Sequence, residues 1–286
     1  MNATLLCAAL ETLFPARPVN EPHLRDPQLR ALLHEKRAQP PVYPTAADVL
    51  STLHSGAAPY AGPHEPDVRF LDEYYSTAAN WHRRLTREIP RWLGRPPRLI
   101  VEVGSFVGRS TVTTWGPLAQ AAGAIVLCID TWLGDMVLRL GARSAKLKRF
   151  VDLDRGRPRT YELFLANVVA HNLTETVFPL PMASLTAARL LLAVNWKVDV
   201  VFIDASHEQG ETLAELQLYW NLLQPGGVLL GDDYNLFPAV RHDVDLFAQC
   251  IGVTVERMGM ANMWLLFKPA AVGARGPPRR PSAAVG

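Results

Sequence analysis

From residue 98 to residue 268 the chain keeps one rhythm: a short apolar run, a turn, then a segment with helical spacing. The apolar runs are Arg98–Val103, Ala124–Ile129, Val177–Leu180, Val198–Ile203 and Val228–Gly231, each four to six residues long. Strands that are apolar on both faces and alternate with helices need cover on both sides, which a parallel sheet between two helical layers supplies. The helices between them are expected at 109–122, 161–171, 185–194, 208–223 and 240–249. Gln224-Pro225-Gly226-Gly227 is read as the turn that stops the fourth of these. Segments 252–258 and 261–267 are expected to close the sheet as an antiparallel pair. The fold class is α/β, a doubly wound, Rossmann-like sheet of seven strands.

Proline divides the rest of the chain. The sequence holds 23 prolines, crowded toward its ends, and each removes a backbone donor and resists helix continuation. Residues 1–67 read as a proline-rich extension with short helices at 26–36 and 46–54, packed over the main domain or partly disordered. Residues 68–97 lead into the core: Phe70, Tyr74, Trp81, Leu85 and Ile89 recur at helical spacing through 67–93. Residues 98–268 form the main domain, and 269–286, with almost nothing to bury, read as a disordered tail.

Charge and cysteine content exclude several classes. A formal net charge of +2 over 286 residues offers no reason to expect nucleic acid or an anionic membrane as a partner. No apolar run approaches the roughly 18 residues needed to span a bilayer. The N-terminal apolar stretch lacks a preceding positive region and is interrupted by Glu11, so it makes a poor signal peptide. Cys7, Cys128 and Cys250 lie far apart without zinc-type spacing. An odd, sparse set argues against a disulfide scaffold and for a reducing compartment, hence a soluble cytoplasmic protein. Cys128, inside an apolar run, reads as a small core residue.

In an open parallel sheet the ligand lies beyond the carboxyl ends of the strands. Here three strand ends carry acids: Asp130, Asp204 and the pair Asp232-Asp233. Carboxylates gathered on one rim repel one another unless a cation or ligand hydroxyls use them. The first strand ends in the turn Val103-Gly104-Ser105-Phe106-Val107-Gly108, where glycines permit close backbone approach and a helix N-terminus follows. The dinucleotide fingerprint is absent, because Phe106 and Arg109 stand where its second and third glycines would. Asp130, about 20 residues beyond the turn, has the placement of a ribose-hydroxyl acceptor.

The blocks VEVGSFVGRS, CIDTWLGD, VFIDASHE, LLQPGGVLLGDDY and AVRHDVDLFA occur in an order that resembles the class I S-adenosylmethionine-dependent methyltransferases. The likeness is to their small-molecule O-methyltransferase branch, catechol O-methyltransferase-like and macrolide-sugar methyltransferase-like, over about residues 98–268. It implies S-adenosylmethionine as cofactor, with Glu102, Gly104, Ser105 and Gly108 shaping the methionine pocket. It further implies Ser110 on the carboxylate, Asp130 on the ribose and Ser184, in PMAS, near the adenine. Asp204, Asp232 and Asp233 match the positions that hold a divalent metal, and oxygen ligands suit Mg²⁺. His207 stands where the catechol enzymes place a lysine base, and Asp233 where they place an asparagine; both are departures. The acceptor would be a hydroxyl of a small molecule, and a homo-oligomer is compatible with the reading.

Simpler roles compete at several positions. Asp204 could cap the helix that follows, and Asp232-Asp233 could be a solvated turn. His207 could hydrogen-bond a ligand without acting as base. Trp132 reads as core or lid packing, Asp135 as a solvated loop charge, and His171 and His242 as surface or satisfied side chains. Met258, Met260 and Met263 read as core filler. Rival functions are a hydroxylase-like protein on the same scaffold, a non-catalytic cofactor-binding protein, and, weakest, a nicotinamide oxidoreductase.

Overall fold

The computed structural model describes residues 7–10, 12, 26–64, 84–135, 153–258 and 262–271. Two helices come from the extension, α1 (Pro27–Ala38) and α2 (Ala46–Leu53), and α3 (84–93) precedes the sheet. Strand β1 (Leu99–Val103) leads through a π-helical turn (Thr111–Trp115) into α4 (Gly116–Ala122), and β2 (Ile125–Asp130) follows. A two-residue-per-strand hairpin, β3 (Leu153–Asp154) and β4 (Arg157–Pro158), precedes α5 (Thr160–Ala170) and β5 (Val177–Pro181). Then come α6 (Ser184–Ala193), β6 (Val198–Ile203), α7 (Glu211–Leu222), β7 (Leu223–Gly231) and α8 (Pro238–Ile251). Strands β8 (Glu256–Arg257) and β9 (Trp264–Phe267) end the order.

Seven strands form one sheet in the order β5-β2-β1-β6-β7-β9-β8. The first five strands of that order run parallel, and β9 pairs antiparallel with both β7 and β8. Strand order reverses at β1, so the carboxyl ends of β1, β2 and β6 border the crevice where such folds bind ligands. Alternation along each strand feeds two cores. Leu99, Val101 and Val103 join α6, α7 and α8 on one face; Ile100 joins α3, α4 and α5 on the other. The seven-stranded doubly wound expectation therefore holds.

One boundary differs for a physical reason. The Gln224-Pro225-Gly226-Gly227 segment is not a turn but lies inside β7, opposite a register shift between Val198 and Val200. Gly226, at φ +81°, donates its N–H to Lys268 O, and proline is tolerated where a bulge interrupts the ladder.

The extension is built into the domain. Val42 forms a parallel bridge with Trp196, and Val49 is fully buried in the core on the face covered by α6, α7 and α8. Tyr60 donates its hydroxyl to Val177 O on the edge strand β5 (2.6 Å). At the opposite end of the sheet from the crevice, Asp199 of β6 is wholly buried and gathers donors from four residues. Arg95 donates two nitrogens (2.6 and 3.1 Å), the backbone N–H of Arg98 a third (2.7 Å), and Tyr43 and Gln224 complete the set. Burial, together with the Asp199 charge, holds the Tyr43 phenol well above its ordinary range.

The cysteine expectation is overturned. Cys7 and Cys250 form a disulfide, with Cα atoms 5.3 Å apart across 243 residues of chain, while Cys128 is free and buried as expected. Sequence distance hid the pairing because only the fold brings the first residues against the end of α8. The argument for a reducing, cytoplasmic setting rested on unpaired thiols and loses that ground. Among the described residues no helix is long and apolar enough to cross a membrane. Of the helix expected over 67–93, only its last turns, 84–93, lie within the described residues, and the tail from 272 lies outside them.

Candidate active site

Gly104 closes β1 at φ +87°, and a Cβ there would sit 2.0 Å from Asp204 O. The nearest constraint on this glycine is thus the backbone of β6's end, not a ligand. Gly108, at φ +89°, faces the Phe164 ring, 3.1 Å from where a Cβ would stand. Asn167 of α5 pins the turn by donating to Val107 O (2.8 Å).

Beneath the turn Glu102 is fully buried and points to the α4 side, since it shares strand parity with Ile100. It accepts hydroxyl hydrogens from Ser110 (2.5 Å), Ser105 (2.9 Å) and Thr111, and the Cys128 thiol at 3.4 Å. Burial pushes its carboxyl above the ordinary range despite these donors. Glu102, Ser105 and Ser110 are therefore brought together as a hydroxyl-satisfied knot that shapes the turn from below. Ser110 has spent its one hydroxyl hydrogen on Glu102, so toward a ligand it can offer its backbone N–H and hydroxyl lone pairs.

Asp130 ends β2 and faces the turn. Its Oδ2 accepts the N–H of Phe106 (2.8 Å) and its Oδ1 that of Trp132 (2.7 Å). Burial raises its pKa, against which these backbone donors act. The backbone N–H groups of Thr131 and Ser105 also act on this carboxylate. Trp132 packs against Tyr161 and Phe164 with centroids 4.8 and 4.9 Å away, and its indole donates to Phe106 O (2.5 Å). It is a packing residue, as the simpler reading had it. Ser184 opens α6 beside Asp130, because Met182 donates its N–H to Asp130 O (3.0 Å).

On the other side of the turn, Asp204, Ser206, His207, Asp232 and Asp233 line one cleft with Thr212, Val240 and Trp264. Helix α7 begins at Glu211 behind Gly210, so Asp204 caps nothing and His207 sits in the loop before the helix. The helix is instead supported by Asp243 of α8, which accepts from Gly210 N (2.7 Å) and Leu213 N (3.1 Å). Sequence spacing could not reveal that partner, 33 residues away.

His207 donates from Nε2 to Asp233 Oδ2 (2.6 Å), and its Nδ1 lies 3.7 Å from Asp135 Oδ2. Asp135 is therefore not a merely solvated charge. The imidazole stacks on Phe237, centroids 4.1 Å apart. Burial acts to lower its pKa, but Asp135, Asp233 and Asp204 together outweigh it and raise it to about 10. In this arrangement the ring is an imidazolium, an acid rather than a base. Asp204 is pushed well above the carboxylate range, first by burial and then by the charges of Asp232 and Asp233. Asp232 is raised for the same reasons, while its Oδ1 accepts the N–H of Asp233. Asp233 holds a left-handed backbone, φ +68°, which turns its carboxylate back toward His207.

These groups suit a cation. Ligand atoms of Asp204, His207 and Asp233 all lie within 4.8 Å of one another, and like charges this close raise one another's pKa until a cation neutralises them. The set includes an imidazole and places Asp232 alongside, where the sequence reading had three carboxylates and kept His207 apart.

Residues 101–234 match a family model described as a methyltransferase domain. A comparison with curated protein sequences finds no match. Among solved structures, the chain is similar to CalS11, a calicheamicin methyltransferase, at 16% identity and TM-score 0.51, covering 85% of this chain and 93% of that one. It is also similar to the O-methyltransferase NovP, at 15% identity and TM-score 0.50, covering 94% and 100%. At such identities the structures speak for the fold, and the family match speaks for the domain. Sheet order, glycine turn and family match agree: residues 101–234 are similar to a methyltransferase domain, on the doubly wound fold that these solved structures share.

Proposed function

We propose that the protein transfers a methyl group from S-adenosylmethionine to a hydroxyl of a small molecule, with a divalent cation at the acidic cleft. The observation that carries this reading is the convergence of Asp204, His207, Asp232 and Asp233 in one cleft beside the turn that Asp130 fastens. CalS11 and NovP, named as a calicheamicin methyltransferase and an O-methyltransferase, support the direction.

In this reading Asp130 takes the ribose hydroxyls in exchange for some of its backbone donors, and Ser184 stands beside the base. The turn, held in shape by Glu102, Gly104, Ser105, Gly108 and Ser110, and the start of the helix that follows it receive the methionine end. The cofactor supplies an electrophilic sulfonium methyl, and alignment of the acceptor with it provides much of the rate. Asp204, Asp232 and Asp233 would hold Mg²⁺, whose Lewis acidity lowers the pKa of a hydroxyl bound there. His207 can accept the hydroxyl's proton only after Nε2 has given up its own proton and left Asp233. Until then it serves as a cation that tempers the carboxylates. The working unit is the domain 98–268 together with the described part of the extension, 26–64, and helix α3, which pack on it. Its partner is the small acceptor, with neither nucleic acid nor membrane required.

Calorimetry of the full chain with S-adenosylmethionine tests the cofactor. Saturable binding weakened at least tenfold by Asp130→Ala is expected, and no saturable heat in the wild type would overturn the reading. Methyl transfer that persists undiminished in excess chelator would remove the cation alone.

A further inference from the structure

Helix α8 joins three features that stand far apart in sequence. Its first residue follows Phe237, which stacks on His207. In its middle, the wholly buried Asp243 holds the N-terminus of α7 through Gly210 and Leu213, and so the end of the loop that carries His207. At its end, Cys250 is bonded to Cys7. Pro238 and Cys250 are about 18 Å apart along the axis at 1.5 Å per residue. Val240, Val244, Phe247 and Ala248 pack this helix into the core, so it can pass a shift at one end to the other as a body.

Both bonded cysteines are partly exposed, whereas Cys128 is fully buried beneath the glycine turn. A dithiol or disulfide in solution can therefore reach the Cys7–Cys250 pair and not the third cysteine. Burial also holds the Cys128 thiol well above its ordinary pKa, which suppresses the thiolate needed for exchange.

We propose that Cys7–Cys250 is a reversible redox clasp that straps the N-terminal segment to α8 and thereby sets the rigidity of the Phe237 wall and of the loop beside His207. The inference does not depend on which group the site transfers. In closing, the thiolate of one cysteine attacks a small disulfide such as oxidised glutathione. It forms a mixed disulfide and expels one glutathione thiolate. The second cysteine's thiolate then displaces the other glutathione. Two protein thiols are oxidised, one disulfide is reduced, and the two protons given up by the protein thiols end on the two glutathione thiolates. A dithiol runs the sequence in reverse.

The test uses the full chain, equilibrated with oxidised glutathione or with dithiothreitol. Non-reducing peptide mapping should give the Cys7–Cys250 linked peptide in the first and two alkylatable thiols in the folded protein in the second. Amide exchange in the last two turns of α8 should rise at least tenfold on reduction, with a smaller rise at Gly210 and Leu213. Cys250→Ser should reproduce the reduced pattern under oxidising conditions, and Cys128→Ser should not. Because the wild type is compared with itself, the result stands even if a variant fails to fold. Absence of the linked peptide after oxidation would overturn the clasp, as would exchange at α8, Gly210 and Leu213 that is the same in both states.

Discussion

Replacing Asp199 by Asn removes one charge and one acceptor from a site where the carboxylate is wholly buried. The carboxylate receives Arg95 and Tyr43 on Oδ1 at 2.6 Å each, with Gln224, and Arg95 and the Arg98 N–H on Oδ2 at 3.1 and 2.7 Å. An amide has one oxygen, so its NH₂ must face at least two of these donors. Turned toward the Oδ2 side it orphans the Arg98 N–H, at about 1–3 kcal/mol, and leaves Arg95 Nη1 only its bond to Pro96 O. Breaking a fully buried ion pair costs about 3–5 kcal/mol. Arg95 is one-third exposed, so water recovers part of its solvation and the lower end applies. We expect a loss of about 3 kcal/mol in urea unfolding, with faster amide exchange at Val42 and Lys197, whose backbone pairing ties the extension to the domain. Tyr43→Phe alone should cost about 1 kcal/mol, and the double variant less than the sum, since both act on one network. A loss under about 1 kcal/mol for Asp199→Asn, or strict additivity, would refute the assignment of the cluster as the clamp that holds the extension.

Two further predictions follow from the site itself. The glycines should rank by what their Cβ would meet: Gly104→Ala, with a backbone oxygen at 2.0 Å and φ +87°, should cost about 3–5 kcal/mol from overpacking and handedness. Gly123→Ala, with nothing within 4 Å at φ +64°, should cost only about 1–2 kcal/mol from backbone handedness; equal losses in thermal unfolding would contradict the close approach of Asp204. In chelator-treated protein the His207 ring resonance should titrate near pH 10 rather than 6.5, because Asp135, Asp233 and Asp204 overcome the opposing effect of burial. A pKa raised on folding stabilises fully below the unfolded value of about 6.5 and is lost as pH climbs toward 10. The stability of the wild type relative to His207→Gln should therefore fall across that window, and a ring that titrates near 6.5 would disprove the double carboxylate embrace.

The order of strands and helices was legible because it depends on local chemistry. Apolar runs such as Val198–Ile203 match their strand residue for residue, and glycine or proline marks where they stop. That acids at the ends of β2, β6 and β7 border one crevice also followed from sequence, since parallel strands must place like ends together. What sequence could not decide depends on which distant groups become neighbours. Cys7 and Cys250 looked unpaired until α8 was laid beside the first residues. Asp135 looked solvated until its loop met His207, and Asp199 looked like one more residue of a strand until Arg95 and Tyr43 closed over it. His207 illustrates both halves: its spacing from Asp204 placed it in the cleft, while its charge was set by two carboxylates from other loops. Periodicity and turn chemistry are properties of adjacent residues and survive in the sequence; pairing, burial and proton affinity are properties of the neighbourhood and arise only with the fold.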